Sequence, residues 1–123
     1  MADILVVEDE IAIAEMLLML LEEEGHIVRT AADGRAGLAA ALERRPDLVL
    51  TDTTMPTMTG PELVAALQGE AALAGVPVIV MSALPMAEVL RTYPRWAPFI
   101  QKPFRVYQVA AMIENTLGTS LTT

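Results

Sequence analysis

Three short apolar runs constrain this chain more than anything else in it: Ile4-Leu5-Val6-Val7, Leu48-Val49-Leu50 and Val78-Ile79-Val80-Met81. Each is continuous rather than alternating, as expected for a strand covered on both faces. Segments of helical character lie between them. Ile13, Met16, Leu17, Leu20 and Leu21 follow a three-and-four spacing that predicts a helix from about Ile11 to Glu24, and Gly25 is placed to stop it. His26 to Ala31 reads as a second strand. Asp33-Gly34 opens a helix to about Arg45, closed by Pro46. Asp47 to Thr51 is the third strand, followed by a loop from Asp52 to Gly60, and Pro61 suits the first turn of a helix through about Gln68. Gly75 and Pro77 introduce the fourth strand. A short helix near Met86 to Arg91, a fifth strand at Phe99-Ile100-Gln101 and a last helix from about Arg105 to Leu117 complete the series. Five alternations with short links predict an α/β fold, a doubly wound five-stranded parallel sheet with helices on both faces.

The length of 123 residues suits one domain, spanning residues 1–123. Cysteine is absent, and His26 and Lys102 are the single histidine and the single lysine. Disulfides, thiolate metal sites and histidine-rich metal sites are thereby excluded. The net charge of -8 argues against a nucleic-acid partner, which needs a basic footprint. No apolar run approaches the 18 or so residues of a membrane span, and Ala2-Asp3 does not open a targeting segment. The expectation is a cytoplasmic protein with no membrane partner.

In an open parallel sheet, ligands bind at the carboxyl ends of the strands, beside the switch in strand order. The first strand ends in Glu8-Asp9, the third in Asp52, the fourth in Ser82 and the fifth in Lys102. A turn residue would explain Asp52 alone, and acids at a helix start would explain part of Glu8-Asp9-Glu10. Together, however, three acids, a hydroxyl and the one lysine fall at one edge of the sheet. Clustered carboxylates repel unless a cation or proton joins them. Oxygen ligands without histidine or cysteine suit Mg²⁺. A lysine and a serine hydroxyl both suit phosphoryl oxygens. This set fits a carboxylate nucleophile that becomes an aspartyl phosphate.

Val6-Val7-Glu8-Asp9-Glu10, Pro46 to Asp52, Met55-Pro56 with Gly60, Pro77 to Ala83, and Lys102-Pro103-Phe104 resemble the receiver domain of two-component response regulators. The resemblance covers essentially the whole chain and implies a flavodoxin-like (βα)5 fold. It implies that Asp52 is the phosphoryl acceptor. Asp9 would bind Mg²⁺ directly, Glu8 through water, and the Thr54 backbone carbonyl would be a further ligand. Ser82 and Lys102 would each hold a phosphoryl oxygen, and Lys102-Pro103 would be a cis peptide. Ser82 and Phe99 would form the switch that repacks the face made by the fourth helix, the fifth strand and the last helix. The implied partners are a histidine kinase or phosphotransfer protein and an unknown downstream protein, with the chain a monomer or weak dimer. No enzymatic turnover beyond self-phosphorylation and autodephosphorylation is implied.

Some positions depart from the family pattern. Thr53 stands where an apolar residue is usual, and Thr54 and Leu84 occupy positions that tune the lifetime of the phosphoryl group. Phe99 lacks the hydroxyl of the commoner tyrosine. Leu84 to Pro98, with Tyr93, Pro94, Trp96 and Pro98, lacks the usual Ala-rich fourth helix. That segment keeps open an alternative, a degenerate receiver acting as a phosphorylation-independent interaction module. A phosphohydrolase is disfavoured because Thr54 stands where such an enzyme places a second Asp. A flavin site is disfavoured because Glu8-Asp9-Glu10 would repel the flavin phosphate.

Overall fold

The computed structural model describes residues 2–53, 55, 57–85, 87–88, 91 and 98–118. Along the chain run β1 (Asp3–Val7), α1 (Ile11–Glu23), β2 (Ile27–Ala31), α2 (Gly34–Glu43), β3 (Leu48–Asp52), α3 (Gly60–Gly69), β4 (Val78–Ser82), β5 (Phe99–Gln101) and α4 (Val106–Leu117). The strands form one parallel sheet in the order β2-β1-β3-β4-β5. The order reverses between β1 and β3, so the crevice of this fold opens at their carboxyl ends.

Strand alternation sorts the core into two halves. Ile4 and Val6 of β1, Leu48 and Leu50 of β3, Ile79 and Met81 of β4 and Ile100 of β5 face one way, against Leu17 and Leu21 of α1 and Val109 and Ile113 of α4. Leu5, Val7, Val49, Val78 and Val80 face the other way, against Ala41 of α2 and Leu63, Val64 and Leu67 of α3. Ile4, Val6, Leu48, Leu50 and Ile79 are fully buried. Burying each such side chain contributes about 1.5–3 kcal/mol, which explains why the central strands are continuously apolar.

Local chemistry sets the helix ends. The Asp33 side chain accepts from the Ala36 N–H at the start of α2. Thr59 and Glu62 cap α3 reciprocally, with Pro61 in its first turn. Gly25, just beyond α1, has φ +91°, a conformation open mainly to glycine. At the amino end of the sheet, Asp3 accepts from Arg29 and Arg44 at 3.2 and 2.8 Å.

The observed boundaries differ from the sequence expectation in a few places. Asp52 and Ser82 are the last residues of β3 and β4 rather than loop residues, because the ladder continues to them: Asp52 pairs with Met81 and Ser82 with Gln101. Helix α2 stops at Glu43, with Arg44 already extended at φ -149°. Ala87, Glu88 and Arg91 of the expected short fourth helix are helical. The rest of that expectation, with Met86, Tyr93 and Trp96, lies outside the described residues.

Gly34 starts α2 directly beneath the loop that follows Asp52. A Cβ placed there would lie 2.4 Å from the Met58 carbonyl oxygen. Backbone cannot yield there as a flexible side chain would. Gly34→Ala is therefore expected to destabilise the protein by about 1–3 kcal/mol in urea unfolding, although alanine is the better helix former by about 1 kcal/mol.

Candidate functional site

The register that pairs Val7 with Thr51 places Glu8 beside Asp52 when carried one residue further. Both follow the face of Val6 and Leu50, so two acids end neighbouring strands on the same side of the sheet. Lys102 continues the same face of β5 from Ile100. Its Nζ lies 2.8 Å from Glu8 Oε1 and 3.3 Å from Asp52 Oδ1. The Glu8 side chain is fully buried, and those of Asp52 and Lys102 are about nine-tenths buried, at 10% and 12% exposure. Two backbone donors complete the arrangement. The Glu10 N–H donates to Glu8 Oε2 at 3.2 Å, and the Thr53 N–H donates to Asp52 Oδ1 at 2.8 Å.

The electrostatics follow from this crowding. Burial pushes the Glu8 carboxyl above its ordinary range. Hydrogen bonds from Lys102 and the Glu10 N–H oppose that rise, and the Asp52 charge adds to it. For Lys102, burial pulls the pKa down, but the hydrogen bond to Glu8 and the charges of Asp52 and Glu8 outweigh it and raise the value. An isolated ion pair would lower the acid as it raised the base. Glu8 goes up because its burial outweighs the hydrogen bonds it receives from an ammonium that also serves Asp52.

Asp9 is exposed and closes the group on its solvent side. One carboxylate oxygen from each of Glu8, Asp9 and Asp52 lies within 4.8 Å of the others. An all-oxygen set with one open flank fits Mg²⁺, which keeps several waters and takes one or two carboxylates. Thr54, whose carbonyl was expected as a further ligand, lies outside the described residues. Ser82 is fully buried. It sits on the opposite strand face from Asp52, and its Oγ accepts from Thr53 Oγ1 at 3.2 Å and from the Leu84 N–H at 2.9 Å. Phe99 is half-buried against the α2–α3 side of the core and pairs with Val80, two residues before Ser82. The Lys102–Pro103 peptide is cis. A groove of about 530 Å³ between α1 and α4, lined by Leu17, Leu20, Val109 and Ala110, contains none of these groups.

The model of the response regulator receiver domain matches residues 4–114. The chain belongs to this family. The probable transcriptional regulatory protein TcrX of Mycobacterium tuberculosis is 34% identical over 123 residues, covering 98% of this chain and 52% of that protein. The DNA-binding response regulator MtrA of the same species is 34% identical over 116 residues, covering 93% of this chain and 50% of MtrA. The chain thus spans about half the length of these curated relatives. Among solved structures, the chemotaxis protein CheY4 of Vibrio cholerae superposes with a TM-score of 0.89 at 30% identity, covering 94% of this chain and 98% of CheY4. The receiver domain of a histidine kinase from Syntrophus aciditrophicus gives 0.87 at 31% identity, with coverages of 97% and 92%.

The fold is therefore the flavodoxin-like one of receiver domains, and the chain is a receiver domain of the two-component signalling type. The expectation of no nucleic-acid partner rested on the charge of these 123 residues alone. It does not extend to longer relatives such as MtrA, whose name includes DNA binding. Among the described residues no helix is long and apolar enough to cross a membrane.

Thr53 is the site residue that sequence reasoning noticed only as a departure. The β3–β4 register, which puts it beside Ser82, is what gives it a contact, and register is not written in any local motif.

Removing the lysine isolates two buried acids. Lys102→Met is expected to lower stability at pH 7 by about 3 kcal/mol. Without Lys102, whose hydrogen bond and charge oppose the rise, the Glu8 carboxyl goes up further than in the wild type, so the variant gains more from protonation and the deficit should shrink as pH falls from 7 to 5. Urea unfolding of both proteins across that range checks it, and a deficit that stays constant would count against the charge explanation.

Proposed function

We propose that this protein is a phosphorylation-controlled switch in which Asp52 accepts a phosphoryl group. The observation that supports this most directly is the grouping of Glu8, Asp9 and Asp52 at the crevice of the sheet, with Lys102 Nζ 3.3 Å from Asp52 Oδ1. A carboxylate with a cation on one side and an all-oxygen acidic pocket on the other is equipped to attack phosphorus. In the step, an Asp52 carboxylate oxygen forms a bond to phosphorus and the phosphorus–nitrogen bond of a phosphohistidine breaks. The imidazole nitrogen keeps the electron pair and takes a proton. Lys102 holds an equatorial oxygen of the transferring group, and the Ser82 hydroxyl donates to another. Glu8 and Asp9, with Asp52 and the Thr54 carbonyl, would hold Mg²⁺, which supplies charge neutralisation when bound.

The donor in this reading is a histidine kinase or a phosphotransfer protein. The output is a change in the face made by the segment after Ser82, β5 and α4, with Phe99 as the packing element that follows Ser82. A downstream protein reads that face. Residues 1–123 act as one receiver unit, in the cytoplasm and as a monomer or weak dimer, and the chain's own chemistry is limited to gaining and losing the phosphoryl group.

Intact-mass measurement after incubation with acetyl phosphate and Mg²⁺ tests this. One added phosphoryl group is expected, lost when the metal is chelated and absent from Asp52→Asn. An unchanged mass, together with failure of beryllofluoride to bind, would leave the phosphorylation-independent interaction module as the better account.

A further inference from the structure

Thr53 meets both halves of the site. Its backbone N–H donates to Asp52 Oδ1 at 2.8 Å, and its Oγ1 donates to Ser82 Oγ at 3.2 Å. The contact is built by the sheet. Asp52 pairs with Met81, so one residue further Thr53 stands opposite Ser82. Both continue the face of Val49 and Val80 rather than that of the acids. Thr53 is 7% exposed and Ser82 is fully buried, so water does not compete for the bond. A serine hydroxyl has one proton to give and two lone pairs to fill. The Leu84 N–H fills one lone pair, and Thr53 Oγ1, 3.2 Å away, fills the other when its hydroxyl donates. The serine proton is what remains to be given. A hydroxyl oxygen that already accepts two hydrogen bonds is also the better donor.

We propose that Thr53 is a positioning residue for Ser82: its hydroxyl fixes the serine oxygen and leaves the serine proton for an anion arriving on Asp52. The inference rests on the phosphoryl-acceptor reading of Asp52 and adds to it a role for a residue type that is not usual at this position. Thr53 has no part in bond making. It acts through Ser82, and its effect should vanish when Ser82 has no hydroxyl.

The experiment is a double-mutant cycle on beryllofluoride binding in the presence of Mg²⁺, read by calorimetry and fluorine NMR on wild type, Thr53→Val, Thr53→Ser, Ser82→Ala and the Thr53→Val/Ser82→Ala pair. Valine keeps the shape of threonine, and serine keeps its hydroxyl. Thr53→Val should bind about three- to ten-fold more weakly, the range expected for one buried hydrogen bond. Thr53→Ser should recover most of that loss. In the Ser82→Ala background, Thr53→Val should add nothing. A second reading needs neither anion nor metal: the Leu84 amide, which donates to the same serine oxygen, should exchange its hydrogen faster in Thr53→Val than in Thr53→Ser. Equal affinity of wild type and Thr53→Val would overturn the proposal. So would tighter binding by Thr53→Val, or an undiminished effect in the Ser82→Ala background. Failure of the wild type itself to bind would remove the acceptor reading and this inference with it, whereas the other outcomes bear on Thr53 alone.

Discussion

Two acids and one ammonium hold each other in place at the end of this sheet. Glu8 and Asp52 end neighbouring strands on the same face, where parallel pairing leaves them side by side. Like charges so placed and so buried would oppose the pairing of β1 with β3, which is the centre of the fold. Lys102 removes most of that opposition by reaching both carboxylates, at 2.8 and 3.3 Å. Burial still lifts the Glu8 carboxyl above its ordinary range, and the Asp52 charge adds a smaller part. The three carboxylates of Glu8, Asp9 and Asp52 form an all-oxygen group that a divalent cation would fit. Structure and chemistry are therefore the same problem here: the groups that make the sheet edge unfavourable are those that suit it to phosphate and metal.

Most of the architecture was legible from residue order. Continuous apolar strands, the glycine and proline stops and the placement of acids, serine and lysine at strand ends led to the parallel sheet and to the composition of its carboxyl edge. Glu8, Asp9, Asp52 and Lys102 come together in space as strand-end logic anticipated. Side chains that depend on register were less visible. Nothing local to Thr53 points to Ser82; the contact exists because β3 and β4 pair Asp52 with Met81. The sequence also does not say on which face Ser82 lies until Val78 and Val80 are known to pack against α3 rather than α1. Boundaries moved by a residue or so for the same reason: ladder hydrogen bonds carry Asp52 and Ser82 into their strands.

The two faces divide the labour of the site. Acids and lysine share the face that rests on α1 and α4, while Thr53, Ser82 and Phe99 share the face towards α2 and α3. Charge is thus gathered on one side of the sheet and the hydroxyl pair with its neighbouring aromatic on the other. The strand ends are where the two sides meet, and Thr53 bridges them with its N–H on Asp52 and its hydroxyl on Ser82.

Lys102 follows β5, a strand of three residues at the border of the sheet. Such a strand has few ladder bonds of its own and would be first to fray. The bond from Lys102 to Glu8 joins residues 94 apart in the chain and fastens that border to the end of β1, three strands away across the sheet. Any fraying of β5 withdraws the ammonium and exposes the repulsion between the two acids. Conversely, any anion that draws the ammonium towards Asp52 slackens its hold on Glu8. The lysine is in this sense a tether as well as a charge, and the mechanical security of the sheet border is set by how that one cation is shared.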